Sequence, residues 1–315
     1  MPHITFIHGI ANKPPREKLL ENWEAYLEQG GLNLATQGVS TSMVYWADVM
    51  YAEPEAPDAD FESVEEGLGT AEADEDLAWI KDLPADEKAF VESFHEKLGF
   101  DRKSPEGDDF TPPAFEGNED ELEALKFEAI PLPWFIKRRV MKALLKDVHH
   151  YLFNTKYSPR AGEEYQVQDH IRKLFVDQLK EDTVDKEGPH VVVSHSMGTV
   201  IAYDCLKNVP DCPPISAYMT VGSPLGISEV YDNFNPDYEK RDAFPSDKVA
   251  GDWVNVYDRL DPVAFDARIA NDYQKGGNKV VLDQRVHNTG KWRHSSYKYY
   301  GQQALCNHLK TLLEL

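Results

Sequence analysis

Ser196 stands at the centre of Ser194-His195-Ser196-Met197-Gly198. The apolar run Val191-Val192-Val193 precedes this pentapeptide, and a helix-like stretch from Thr199 to Lys207 follows it. A strand that turns sharply into a helix lifts the corner residue out of the sheet and sets its side chain at the helix N-terminus. A hydroxyl there is placed to act as a nucleophile. Small polar pentapeptides also serve as ordinary strand-to-helix loops, so the rest of the chain must supply the partners. A serine hydroxyl is a poor nucleophile at neutral pH. It needs an imidazole within hydrogen-bond reach and a carboxylate that holds the imidazole in one tautomer. On a parallel sheet such groups meet at the C-terminal ends of strands, where the crevice opens. Two aspartates qualify, Asp258 and Asp261, both just after the apolar run Trp253–Tyr257. Two histidines qualify, His287 and His294, both between the last apolar run and the terminal helix.

The elements that must position these groups alternate between strand and helix. Ile4–Ile7 reads as a short buried strand ending in His8-Gly9, and Arg16–Gln29 as a helix closed by Gly30-Gly31. Thr41–Trp46 reads as a second strand, Glu163–Lys180 as a helix leading to the Val191 strand, and Ala217–Val221 as the strand after the elbow helix. Trp253–Tyr257 and Lys279–Asp283 complete the strands, and Tyr297–Leu313 reads as one terminal helix. Short apolar strands alternating with helices predict an α/β class, with a mainly parallel sheet covered on both faces.

The 315 residues carry a formal net charge of −22, and the charge is unevenly spread. Between Tyr51 and Glu128 there are 26 acidic and 6 basic side chains, which accounts for nearly all of the excess. An acidic chain is a poor match for nucleic acid, whose phosphates require a basic surface. The acidic segment lies inside a stretch, residues 52–158, where the pattern breaks up around Pro54, Pro57, Pro84, Pro105, Pro112 and Pro113. This stretch reads as a solvated, mostly helical insertion between core segments 1–51 and 159–315. Its last part, Trp134 to Phe153, repeats apolar residues at helical spacing and predicts an amphipathic helix, either packed on the core or serving as a lid. Adjacent His149 and His150 point different ways on such a helix, so they read as a solvated face and not a metal pair. No run of about 20 apolar residues occurs, so no stable membrane insertion is expected. Without a basic leader and apolar signal, and with the odd set Cys205, Cys212 and Cys306, the expected location is cytoplasmic.

Four places together resemble the α/β-hydrolase superfamily of the serine esterase and lipase type: Phe6-Ile7-His8-Gly9-Ile10, the elbow at Ser196, Asp261-Pro262-Val263, and His294. The elbow resembles G-x-S-x-G with Ser194 in place of the first glycine, and the order nucleophile, acid, base is that of the family. Thr220-Val221-Gly222-Ser223-Pro224 is similar to a strand-end segment of lipase-like members. The likeness covers about Pro2–Asp48 and Glu164–Leu315, leaving the acidic insertion outside it. It implies an α/β-hydrolase fold with a large inserted lid or cap before the nucleophile elbow. It also implies that Asp261, in an acid-loop run, is preferred to Asp258, and that His294 is preferred to His287. The oxyanion donors would be the backbone N–H groups of Met197 and, by likeness to single-glycine members, Ile10.

The expected activity is hydrolysis of carboxylic esters through an acyl group on Ser196, with Asp261 and His294 completing the set, and no metal or organic cofactor required. The substrate would be a small-molecule or lipid ester. A lipase or phospholipase is the alternative among enzymes, and a catalytically idle hydrolase fold that binds a ligand is the alternative outside them. His3 and His8 read as structural, and the side chain of His195, inside the elbow, is expected to point away from the serine.

Overall fold

The computed structural model describes residues 1–56, 77–97, 145–184, 187–234, 240–261, 263–264, 267–289 and 292–315. Most of the expected insertion, including Trp134 to Leu144, lies outside the described residues.

Six strands form one sheet. We label them β1 (His3–Ile7), β2 (Ser40–Val44), β3 (His190–His195), β4 (Ala217–Val221), β5 (Trp253–Tyr257) and β6 (Val281–Arg285). Their spatial order is β6-β5-β4-β3-β1-β2, and every neighbouring pair is parallel. Five helices pack on its faces: α1 (Arg16–Gln29), α2 (Val167–Thr183), α3 (Met197–Asn208), α4 (Ser296–Tyr300) and α5 (Gln303–Leu312). The expected α/β class is therefore observed, with a fully parallel sheet flanked by helices.

The four inner strands, β1, β3, β4 and β5, are buried along their whole length because both faces are covered, whereas the edge strands β2 and β6 are partly exposed. Alternate residues of β3 point opposite ways, and they divide the core in two. Val191 and Val193 join Phe6, Met219 and Val254 under α1, α4 and α5, with Trp23, Leu27, Leu305 and Leu309. Val192 joins Tyr218 and Trp253 under α2 and α3, with Ile171, Phe175, Ile201 and Tyr203. A helical turn over 145–152 adds Leu145, Val148, Tyr151 and Leu152 to this second cluster, so the described end of the expected amphipathic helix packs on the core. Each such side chain contributes about 1.5–3 kcal/mol of apolar burial.

Three boundaries differ from expectation for local reasons. Trp46 leaves the second strand early, because its indole N–H donates to His8 O at 2.9 Å and its backbone N–H to His8 Nε2 at 3.0 Å. Lys279 falls in a two-strand ribbon with Gln274–Lys275, turned by Gly276 and Gly277 at positive φ, so the last sheet strand begins at Val281. The single terminal helix is two helices, α4 and α5. Gly301 ends the first with its N–H on Tyr297 O at 3.1 Å, and the change of direction buries Tyr299 and Tyr300 under the sheet.

Register decides where the loops meet. Ile7 pairs with Ser194, His195 with Val221, and Val221 with Val256. The loops after β1, β3, β4 and β5 therefore open on a single rim. The order in which successive strands are added reverses between β1 and β3, which is the switch point where such sheets form a crevice.

Candidate functional site

Ser196 occupies that switch point. Its backbone has φ 54° and ψ −130°, a left-handed conformation rare for a residue with a side chain. The turn is held from several sides. Ser196 N–H donates to Val221 O at 3.0 Å, and Ser196 O accepts Thr199 N–H at 2.9 Å and Thr199 Oγ1 at 2.7 Å. Backbones crowd the corner: a Cβ at Gly9 would lie 2.5 Å from Ser196 Cβ, and one at Gly198 would lie 2.6 Å from the carbonyl oxygens of Ile7 and His8. Ser194, standing where the elbow pattern has glycine, is buried with its hydroxyl on Tyr218 Oη at 3.1 Å and on Met219 O at 3.2 Å. The substitution is accommodated because that hydroxyl has partners beneath the turn.

The imidazole and the carboxylate come from the other side of the rim. His294 Nδ1 donates to Asp261, at 2.8 Å from Oδ2 and 2.9 Å from Oδ1. That bond fixes the tautomer, so Nε2 carries the free lone pair. The ring is boxed in: it stacks on His195 at 4.8 Å between centroids, meets Trp292 edge-on at 5.6 Å, and has its Cε1 beside Gly222. His195 Nε2 also donates to His294 O at 2.9 Å, so the elbow's own histidine holds the loop that carries His294.

Asp261 is the carboxylate brought to His294, and Asp258 is not. Asp261 Oδ1 accepts Val263 N–H at 2.8 Å, and Oδ2 accepts the Tyr299 hydroxyl at 2.6 Å. Burial pushes this carboxyl up, but the His294 imidazole, the Tyr299 hydroxyl and the Val263 N–H together hold it below the ordinary range. Asp258 instead ties the loop. It accepts Leu260 N–H at 2.7 Å and Asn288 N–H, lies 3.4 Å from the Arg293 guanidinium, and is raised chiefly by burial. His287 is exposed.

Ser196 Oγ and His294 Nε2 are both buried, and neither has a hydrogen-bond partner among the described residues. Both stand around the end of β4: Ser196 N–H bonds Val221 O, and His294 Cε1 faces position 222. An acceptor nitrogen and a hydroxyl are left unsatisfied at one corner, where an unmade bond costs about 1–3 kcal/mol per group.

The loop after β1 closes the rim opposite. His8 is fully buried, and burial with the nearby Lys13 ammonium lowers it to about 3, so it stays neutral. Its Nδ1–H donates to Gly9 O at 2.8 Å. Ile10 and Met197 are buried beside the serine corner, and Met197 begins α3, where helical N–H groups lack partners within the helix.

Tyr299, the contacts by which His195 holds the His294 loop, and the loop contacts of Asp147 escape the sequence reading. Tyr299 and Asp261 are 38 residues apart and share no motif. His149, expected on a solvated face, is buried with Nε2 2.7 Å from Glu87 Oε2.

One group of metal-ligating types occurs among the described residues: His3, Asp182 and His190, with ligand atoms within 4.8 Å of one another. It lies where the strands begin, at the far end of the sheet from Ser196. Thr5 Oγ1 stands between its members, 2.6 Å from Asp182 and 2.7 Å from His190, and we read the group as a buried hydrogen-bond network. The three cysteines are free and buried. No helix among the described residues is long and apolar enough to cross a membrane.

No model of a known protein family matches this chain, and no curated protein matches it either.

Proposed function

We propose that this chain is a serine hydrolase that cleaves carboxylic esters through an acyl group carried on Ser196, on an α/β-hydrolase fold. One observation supports this reading above the others. A strained serine leaves its hydroxyl unsatisfied at the corner where an imidazole, oriented by a buried carboxylate, leaves its acceptor nitrogen unsatisfied too. A fold with no chemistry to perform gains nothing from this pair.

In the proposed reaction Ser196 Oγ attacks the ester carbonyl carbon while His294 Nε2 takes the hydroxyl proton. The carbonyl electron pair moves onto oxygen, and the Ile10 and Met197 N–H groups receive that charge. Asp261 keeps Nδ1–H in place and stabilises the imidazolium, and Tyr299 steadies Asp261. Collapse of the tetrahedral species breaks the bond to the alcohol, which leaves with the proton from Nε2. Water then attacks the acyl-serine with His294 again as base, which releases the acid and restores the hydroxyl. Ser196 Oγ and His294 Nε2 have no hydrogen-bond partner among the described residues, which leaves both open to share the proton in the reaction.

A fluorophosphonate probe tests the reading, with peptide mapping of the labelled site. Wild-type protein labels at Ser196, and Ser196→Ala abolishes labelling and lowers ester hydrolysis by about 10⁴-fold or more. A folded wild-type protein that stays unlabelled overturns the proposal in favour of a binding module. A chain-length series of nitrophenyl esters, set against emulsified triacylglycerol and phospholipid, separates esterase from lipase.

A further inference from the structure

The Ile10–Ala11 peptide group is gripped at both polar ends. Its carbonyl oxygen accepts Lys13 Nζ at 2.7 Å, and its N–H donates to Asp147 Oδ2 at 2.8 Å. Lys13 is 3% exposed and Asp147 1% exposed, so solvent screens this pair of opposite charges only weakly. Ala11 is held there at φ 67°, in the left-handed region that a residue with a side chain avoids without external restraint. Asp147 reaches this peptide from the helical turn over 145–152, which packs on the α2–α3 side of the core, and the Tyr51 hydroxyl donates to the same carboxylate at 3.2 and 3.3 Å.

We propose that Asp147 is a positioning residue. Together with Lys13 it clamps the Ile10–Ala11 peptide, and this fixes the neighbouring Ile10 N–H toward the oxygen of the reacting ester. The 145–152 helix is thereby linked to the loop beside the serine corner through the Asp147 hydrogen bond. This rests on the reading of Ser196 as nucleophile and of Ile10 N–H as an oxyanion donor. Asp147 touches no substrate; it acts through the peptide it holds. Released from Asp147, the peptide keeps only the Lys13 contact on its carbonyl, so Ala11 can relax toward ordinary φ and the donor before it turns with the chain.

The groups facing Asp147 are Ala11 N–H and Lys13 from the loop after β1, Tyr51 from the segment after β2, and Lys146 from its own turn. Burial drives the carboxyl up to about 6, against the pull of these four. The clamp therefore has its full charge above that pH and weakens below it. His8, nearest in the loop, is neutral across the same range and contributes no competing titration.

The test follows acylation by p-nitrophenyl acetate and fluorophosphonate labelling from pH 5 to 9, in wild type, Asp147→Asn and Asp147→Ala. Displacing an oxyanion donor by about 1 Å lowers the rate about 100-fold, the effect expected for Asp147→Ala on kcat at pH 8 with KM little changed. Asp147→Asn retains an acceptor but loses the charge, and acylates about tenfold slower at pH 8. Its deficit shrinks toward unity below about pH 6, where the native carboxyl is itself protonated. Where Asp147→Ala fails to fold, Asp147→Asn carries the test. A ratio near one at every pH overturns the inference and leaves the serine hydrolase reading intact. A pH-independent loss in which kcat and the folded fraction fall together also overturns it, because packing alone then explains the residue. Wild-type protein that fails to label defeats the reading beneath it.

Discussion

The two ends of the parallel sheet both bury histidine, aspartate and hydroxyl groups, and they treat them in opposite ways. Where the strands begin, Asp182 receives Thr5 and Ser42 hydroxyls and the His3 ring on Oδ2, and Gln178 Nε2 at 3.1 Å on Oδ1. Burial would raise this carboxyl, but the His3, Ser42 and Thr5 contacts outweigh it and hold the group far below the usual carboxylate range. Where the strands end, Asp261 is equally well supplied, yet the imidazole it orients and the serine nearby each keep one buried polar atom without a partner. Residue types alone would not separate the two clusters. What sets the strand-end corner apart is that a serine hydroxyl on a left-handed backbone and the acceptor nitrogen of a carboxylate-oriented imidazole are left open there together.

The contrast can be attacked first at the strand-end carboxylates. Asp261→Asn is expected to lower kcat by about 10³–10⁴-fold by leaving His294 in the wrong tautomer, whereas Asp258→Asn lowers it by less than about tenfold. Equal losses in steady-state hydrolysis would mean that both aspartates serve the base, and the assignment drawn from the 2.8 Å contact would fall.

At the strand-start end the effect should appear in stability and not in rate. Asp182→Ala strands the hydrogen-bond donors around it and is expected to remove roughly 2–4 kcal/mol in urea unfolding, with kcat of the folded fraction unchanged. The sign with pH follows from a carboxyl held below its ordinary value of 3.8. Its stabilisation is present above that value, and it is lost as pH falls from there toward the depressed folded value. The variant should accordingly show a flatter acid limb of stability than wild type. A steep limb in both would break the comparison.

The smallest effect sharpens the view of Ser196 as a strained site. Ser196→Gly removes both the side chain from a left-handed backbone and an unsatisfied hydroxyl. Against the entropic penalty of glycine, a net gain of roughly 1–2 kcal/mol is expected in thermal unfolding, while activity is lost. A destabilised glycine variant would show that the serine side chain supports the fold.

Much of this arrangement was legible in the sequence because it is local. Val191 to Lys207 encodes a strand, a turn of small residues and a helix in consecutive positions, and the observed φ of 54° at Ser196 follows from that turn. Asp261 and His294 were legible as strand-end residues in order, and the structure brings these two into contact. Strand order was not legible, since pairing of β1 with β3 joins segments nearly 190 residues apart. Tyr299 was missed because its role depends on how α4 ends at Gly301, and Trp46 left its strand because a buried imidazole 38 residues away accepts its N–H. Long-range partners of this kind leave no periodicity to read.

The enclosure of His294 has a consequence for how the ring can work. With His195 against one face, Trp292 at an edge and Gly222 beside Cε1, the imidazole is packed on three sides, and a side chain at position 222 would press on it. In the proposed reaction it would relay the proton between Ser196 and the leaving alcohol from this confined position. Under that proposal, accommodation of a bulkier or differently shaped ester falls to the opposite wall of the crevice, away from this packed side.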